Sequence, residues 1–190
     1  MPDTIRAFIA ADLPEPIILS LRQLQDDLKP FNFDARWVKP DHIHLTLKYL
    51  GDIRSADAET VGRVITETAI LHAPVSLVVK GIGVFPEIRR PRVLWVGIDG
   101  QISILSRLQK TIEDQLETVG FPREKRAFKG HLTLARFRYV HDPGSIIAAM
   151  TGLGGFETQP FTVNAVHLYK SRLTPAGAEY TRLVSAELTR

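Results

Sequence analysis

The chain of 190 residues contains no cysteine. Disulfides, thiolate nucleophiles and cysteine-ligated metal centres are therefore excluded, and the composition fits a reducing compartment. No apolar run approaches the ~20 residues that cross a bilayer, and the start Met1-Pro2-Asp3-Thr4 lacks the basic and apolar regions of a signal peptide. These absences predict a cytoplasmic protein with no membrane partner. Charge of one sign is also missing: 24 Lys and Arg stand against 21 Asp and Glu, and a net charge of +3 does not by itself point to nucleic acid. Low-complexity segments and linkers are absent, while 44% hydrophobic and 24% charged residues are ordinary for a folded globular chain. The length accommodates one domain, or two closely packed half-size lobes of one folding unit.

What is present is a repeat. His44-Leu45-Thr46-Leu47 recurs as His131-Leu132-Thr133-Leu134. Composition alone yields a His-x-Thr triplet about 0.4 times in such a chain, but His-Leu-Thr-Leu only roughly 0.005 times and a pair on the order of 10⁻⁵ times. The duplication is therefore a signal where a lone triplet would not be. The positive charge gathers around it: Arg123, Lys125, Arg126, Lys129, Arg136 and Arg138 face the single acid Glu124, and a second basic knot stands at Arg89-Arg90-Pro91-Arg92.

The pattern along the chain is mixed α and β. Ile5 to Ala11 predicts a strand, and Ile17, Leu21, Leu24 and Leu28 predict a helix stopped by Lys29-Pro30. Arg36-Trp37-Val38 and Ile43 to Leu50 read as extended segments, the second ended by Gly51-Asp52. A helix over Ala56 to Leu71 comes next, then strands at Pro74 to Lys80 and Arg92 to Ile98 joined by a long Gly81 to Pro91 connection. Leu105, Leu108, Ile112 and Leu116 form the clearest helical stripe, with Gly120 where a C-terminal cap belongs. Gly130 to Tyr139 is the second motif strand, Pro143 to Met150 a short helix, Phe161 to Tyr169 one alternating strand, and Ala178 to Leu188 its partner. Each motif strand lies between helices, which predicts a diverged internal duplication. Trp37 and Trp95 read as core residues, and Phe8, Tyr49 and Tyr169 as packing residues with base stacking as the alternative. His72, His141 and His167 have no motif around them.

Side chains alternate along a strand, so His44 and Thr46 share one face while Leu45 and Leu47 point into a core, and the same holds for His131 and Thr133. Two such strands across a cleft would bring together two imidazoles and two hydroxyls. Near neutral pH one imidazole can take a proton while the other gives one. A threonine hydroxyl beside each can donate to a phosphoryl oxygen. That set suits in-line displacement at a phosphodiester, with no metal or cofactor required. Arg136 is a candidate phosphate ligand because a guanidinium matches phosphate geometry, but regular alternation would turn it away from His131 unless a bulge re-aims it.

Beyond the motifs, matching pieces run through most of the chain: Arg6-Ala7-Phe8-Ile9-Ala10, Arg36-Trp37-Val38, His42 to Gly51, Arg92 to Gly97, His131 to Arg136 and Leu168-Tyr169-Lys170-Ser171. Together they resemble the two-histidine phosphoesterases, specifically the LigT-like RNA 2′,3′-cyclic phosphodiesterases, historically called 2′-5′ RNA ligases. The resemblance implies an α+β, bilobed fold within a single domain spanning residues 1–190. It has an antiparallel sheet in each lobe, a pseudo-two-fold between them, helices outside and a groove between the lobes. It implies hydrolysis of RNA 2′,3′-cyclic phosphate ends to 2′-phosphates by a monomer. His44 resembles the proton donor, His131 the proton acceptor, and Thr46 and Thr133 the phosphate-holding hydroxyls. Spacing alone does not fix the direction of proton transfer.

Three alternatives stand beside this reading. The same site could catalyse reversible 2′-5′ ligation, or act on a small cyclic nucleotide phosphate. A non-catalytic RNA-binding module would use the basic surface without chemistry. A metal site from His42, His44 and His131 lacks an obvious carboxylate to complete it.

Overall fold

The computed structural model describes residues 3–139, 143–175 and 177–190. Met1, Pro2 and His141 lie outside the described residues. The chain runs β1 (Thr4–Ala11), α1 (Glu15–Leu28), β2 (Asp34–Trp37), β3 (Leu45–Arg54), α2 (Asp57–Ala69), β4 (Val75–Phe85), β5 (Val93–Gly100), α3 (Ile102–Thr118), β6 (His131–Tyr139), α4 (Pro143–Leu153), β7 (Phe161–Val163), β8 (Ala165–Thr174) and β9 (Gly177–Glu187). The strands form two sheets of order β3-β1-β8-β9 and β2-β6-β5-β4-β7, antiparallel throughout. The fold is α+β and bilobed. Among the described residues no helix is long and apolar enough to cross a membrane.

The helices bury the stripes their spacing predicts. Leu105, Leu108, Ile112 and Leu116 of α3 are wholly buried, as are Leu21 and Leu28 of α1, and burial of each such side chain contributes about 1.5–3 kcal/mol. Gly120, at φ 96°, takes the left-handed turn that ends α3. The two motif strands have matching connectivity. β3 comes after α1 and pairs antiparallel with β1, while β6 comes after α3 and pairs antiparallel with β5.

Three segments differ from the pattern the sequence suggests. Gly81 does not begin a loop: at φ 71° it bulges, the register with β5 shifts between Lys80 and Ile82, and β4 continues to Phe85. Phe161 to Tyr169 is not one strand, because the chain leaves one sheet after Val163 and enters the other at Ala165. β7 pairs with β4 and β8 with β1 and β9, and the Asn164 carbonyl at the crossing accepts from Leu188 N–H at 2.8 Å. β3 also runs on through Gly51 and Asp52, which pair with Ala7 and Arg6. Residue type alone does not show them, since Gly81 and Gly51-Asp52 read as turn residues and a change of sheet at Asn164 leaves the alternation intact.

The lobes are joined by buried polar groups. Lys48 of β3 and Glu113 of α3 form an ion pair at 2.8 Å, with side-chain exposures of 3% and 7%. Lys48 Nζ also donates to the Pro122 carbonyl at 2.6 Å, and Glu113 accepts from Glu124 N–H and Gln109. Every charge in the cluster therefore has partners, as its burial demands. Removing one partner leaves the other charged and dry, so Lys48→Met is expected to destabilise the protein by about 3–5 kcal/mol in urea unfolding. The double variant Lys48→Met with Glu113→Leu is expected to recover much of that loss. A double variant as unstable as the sum of the two singles would show that the pair is not coupled.

Candidate active site

The site is built on two bulges. Between β1 and β3 the register steps from Ile9–Lys48 to Ala10–Thr46, leaving Leu47 as an extra residue. Between β5 and β6 it steps from Leu94–Ala135 to Trp95–Thr133, leaving Leu134 extra. Each bulge falls on the last residue of a His-Leu-Thr-Leu. Leu45, Leu47, Leu132 and Leu134 are buried while His44, Thr46, His131 and Thr133 are half-buried, which is the division of faces that alternation gives. Past each bulge the parity reverses: Leu47 and Lys48 are both buried, as are Leu134 and Ala135. Tyr49 and Arg136 thereby return to the face carrying the histidines, and both are exposed.

The two imidazoles are held alike. His44 Nδ1 lies 2.8 Å from the His42 carbonyl and His131 Nδ1 lies 2.7 Å from the Lys129 carbonyl, in each case two residues upstream. A carbonyl only accepts, so these bonds assign the proton to Nδ1 and leave Nε2 for chemistry. Among the described residues neither Nε2, nor the hydroxyl of Thr46 or Thr133, makes a hydrogen bond to the protein. Four polar groups are thus unengaged among the described residues.

Their surroundings differ. His44 is stacked on Phe8, with ring centroids 4.7 Å apart, and meets the edge of Tyr180 at 5.3 Å. It borders a cavity of about 270 Å³ lined also by Asp12, His42, Tyr169 and Arg182. Burial lowers the His44 pKa below its ordinary value near 6.5; the bond to His42 and the Asp12 charge oppose this, and Arg136 adds to it. His131 stands against the edges of Phe85 at 5.0 Å and Trp95 at 6.4 Å. It shares with Thr46 a larger groove of about 790 Å³, drawn from both lobes and lined by Arg90, Arg92, Arg126 and Lys129. Part of each basic run in the sequence thus reaches the groove. Arg123 is instead engaged by Asp114 and Glu117, and Arg138 lies 4.0 Å from Asp34.

Several residues that look ordinary in the sequence belong to this region. Trp95 is not a core residue: it lies across Gly83, where any Cβ would strike its ring, and Lys129 Nζ sits 4.5 Å above it. His167, which has no motif, is buried 3.6 Å from Asp12. Asp12 also accepts from Tyr169 at 2.6 Å and pairs with Arg182, and burial with that bond pushes the Tyr169 pKa up to about 12. Tyr180 is missed altogether by sequence reasoning, although it touches His42, His44, Phe8 and Tyr169. No signal short of the β8–β9 register could have placed it. Trp37 packs partly buried against the core, as expected. Among the described residues no three His, Asp or Glu side chains converge as a metal-ligating group.

Comparison with known proteins bears on this arrangement. The sequence profile described as LigT like Phosphoesterase matches residues 12–95 and again 96–180, one motif in each half. The chain belongs to the LigT-like phosphoesterase family. It is 32% identical over 177 residues to a protein of Methanothermobacter thermautotrophicus named RNA 2′,3′-cyclic phosphodiesterase, covering 93% of this chain and 95% of that one. A protein of the same name from Thermus thermophilus is 31% identical, with 94% and 88% covered. Among solved structures, a Thermus thermophilus protein superimposes with a TM-score of 0.82 at 26% identity over 97% of this chain and 98% of that one. LigT of E. coli in complex with 3′-AMP, at 24% identity, shares the fold with a TM-score of 0.79 over 99% and 100%.

The effect of burial on His44 of this LigT-like phosphoesterase is measurable. His44 is expected to titrate below pH 6.5 in histidine NMR spectra of the free protein, and to move upward when a 2′-phosphate nucleotide binds, because an adjacent anion favours the imidazolium. A His44 that titrates at or above 6.5 without ligand would refute the dominance of burial.

Proposed function

We propose that this LigT-like phosphoesterase hydrolyses the 2′,3′-cyclic phosphate at RNA ends to a 2′-phosphate, by acid and base catalysis from its two motif histidines. The observation that carries this is the matched pair of imidazoles, each with Nδ1 tied to a carbonyl two residues upstream and Nε2 unengaged beside an unengaged threonine hydroxyl. The names of the relatives in Methanothermobacter thermautotrophicus and Thermus thermophilus support the substrate class. We read residues 1–190 as a single domain whose two lobes each supply one motif, so that the monomer is sufficient. The absence of cysteine supports action in the cytoplasm.

On this proposal the phosphorus lies between the two Nε2 atoms, with Thr46 and Thr133 donating to its non-bridging oxygens. His131 Nε2 takes a proton from water as the water oxygen bonds to phosphorus. The P–O3′ bond breaks, and His44 Nε2–H gives its proton to O3′, leaving a 3′-hydroxyl and a 2′-phosphate. Arg136, returned to this face by its bulge, neutralises charge on the phosphoryl oxygens. Burial disfavours the charged form of His44 in the free enzyme, so the anion it serves favours its donor role. A cyclic phosphodiester carries a negative charge, and its arrival raises the affinity of His44 for a proton.

The test is an oligonucleotide ending in a 2′,3′-cyclic phosphate, incubated with the protein in excess EDTA. Turnover to a 2′-phosphate end is expected, with His44→Ala and His131→Ala each lowering kcat by about 10²- to 10⁴-fold. A 3′-phosphate product would overturn the assignment of O3′ as leaving group. Complete inhibition by EDTA would overturn the metal-independent mechanism. The pH profile of kcat/KM is expected to be bell-shaped, and the descending limb, where His44 loses its proton, to lie at higher pH in kcat than in kcat/KM.

A further inference from the structure

The matched bulges raise a question about Tyr49. If Arg136 is the residue the β6 bulge delivers to the groove, Tyr49 is what the β3 bulge delivers at the equivalent place, and tyrosine carries no positive charge. The charge is supplied by a neighbour. Arg6 of β1 lies on the same face as Phe8, two residues away on a regularly alternating strand, and its guanidinium carbon sits 5.2 Å from the centroid of the Tyr49 ring. This is within cation–π distance, which fixes a long side chain that would otherwise sweep through solvent.

Arg6 is also unspent. Arg22, Arg54, Arg123, Arg172 and Arg182 are each paired with a carboxylate, whereas Arg6 belongs with the exposed arginines, Arg36, Arg63, Arg90 and Arg136 among them, that have no ion pair among the described residues. Arg6 makes no ion pair and donates no hydrogen bond among the described residues, although Asp52 is its register partner on β3. Its field nevertheless reaches the His44 wall. The Tyr180 hydroxyl, raised by burial, feels opposing positive charge from Arg136 and Arg6 together, and Tyr180 is the ring whose edge meets His44.

Position excludes the scissile phosphate as the target. Arg6 stands four residues along β1 from Ala10, the register partner of Thr46, which is roughly 13 Å at the rise of a strand. A phosphorus held at Thr46 and the two imidazoles is out of its contact range. The next phosphate of an RNA chain is not. On the proposed mechanism O3′ departs toward His44, and a chain leaving that side along β1 passes Phe8 and then the adjoining Tyr49 and Arg6.

We propose that Arg6, held on the Tyr49 ring, binds the phosphate on the 5′ side of the terminal nucleoside and so makes the enzyme prefer a 5′-phosphorylated nucleotide end over a bare cyclic nucleoside phosphate. This rests on the hydrolytic reading above. Two probes isolate it: a nucleoside 2′,3′-cyclic phosphate with a 5′-hydroxyl, and the same nucleoside carrying a 5′-phosphate. Wild-type kcat/KM is expected to be about tenfold or more higher for the 5′-phosphorylated probe, as a charge-assisted contact gives. In Arg6→Gln that ratio is expected to collapse toward one, with Arg6→Lys retaining part of it and Tyr49→Leu losing part of it. A wild-type ratio near one, or a ratio untouched in Arg6→Gln, overturns the proposal; so does an equal loss on both probes, which would mark Arg6 as structural.

Binding separates this from failure of the hydrolytic reading. If neither probe is turned over, calorimetry with a nucleoside 2′-phosphate and a nucleoside 2′,5′-bisphosphate still decides it. The bisphosphate is expected to bind about tenfold more tightly to wild-type protein and not to Arg6→Gln, and equal affinities would overturn the role of Arg6.

Discussion

Two buried glutamines hold the motif strands in place, each from the opposite half of the molecule. Gln25, on the helix between β1 and β3, donates to the Leu134 carbonyl of β6 at 3.0 Å and to Val38 at 2.8 Å. Gln109, on the helix between β5 and β6, donates to the Leu47 carbonyl of β3 at 3.3 Å. The accepting residues Leu134 and Leu47 are the two bulge residues, and both glutamines are nearly inaccessible to water. A bulge disrupts the local ladder, and an unsatisfied buried carbonyl costs about 1–3 kcal/mol. The Leu134 carbonyl already accepts from Val38 N–H at 2.9 Å, so what the reciprocal glutamines add at both bulges is a tie from each motif strand to a helix of the other half. The Lys48–Glu113 pair, one turn along α3 from Gln109, adds a third tie between β3 and that helix.

That constraint explains why the same tetrapeptide serves twice. The leucines anchor a strand, the bulge on the fourth residue reverses the facing of the side chains beyond it, and the fifth residue after the histidine returns to the face that carries the histidine. In one strand that residue is Arg136; in the other it is Tyr49, with Arg6 lying across it. Local chemistry is also repeated, down to the imidazole Nδ1 bound to a carbonyl two residues upstream. The family profile matches residues 12–95 and 96–180, and each stretch holds one of the two motifs.

Much of this is legible in the sequence because it depends on residue type and period. The helical stripes of α1 and α3, the buried leucines and the polar faces of the motifs are consequences of spacing alone. The need for a bulge before Arg136 is legible too, since strict alternation contradicts a phosphate role. What spacing does not carry is which sheet a strand joins and what lies across from it. Phe161 to Tyr169 keeps its alternation through a change of sheet at Asn164, and the Gly81 bulge looks like a turn when read in one dimension. Gln25 and Gln109 sit on buried helix faces where a polar residue reads as a defect until its long-range acceptor is known. Tyr180 is invisible for the same reason, since only pairing with β8 brings it to His44.

Identical motifs in unlike surroundings divide the labour between the histidines. His44 is wedged between Phe8 and Tyr180 beside a small cavity whose acid, Asp12, is engaged by Tyr169 and Arg182. His131 opens onto a wide cationic groove. Desolvation disfavours the imidazolium at His44, and the Arg136 charge acts in the same direction. On the proposed mechanism His44 is a proton donor whose charged form is disfavoured by its surroundings, which has two consequences. It is a stronger acid once protonated, which suits transfer to a departing alkoxide, and it is populated only when an anion compensates its charge. The cyclic phosphate is such an anion and its hydrolysis product is a more highly charged one, so the same electrostatics that load His44 for reaction also hold the product after it. On the proposed mechanism the cations around the groove bear on release of the 2′-phosphate as well as on the chemical step, because they meet that added charge.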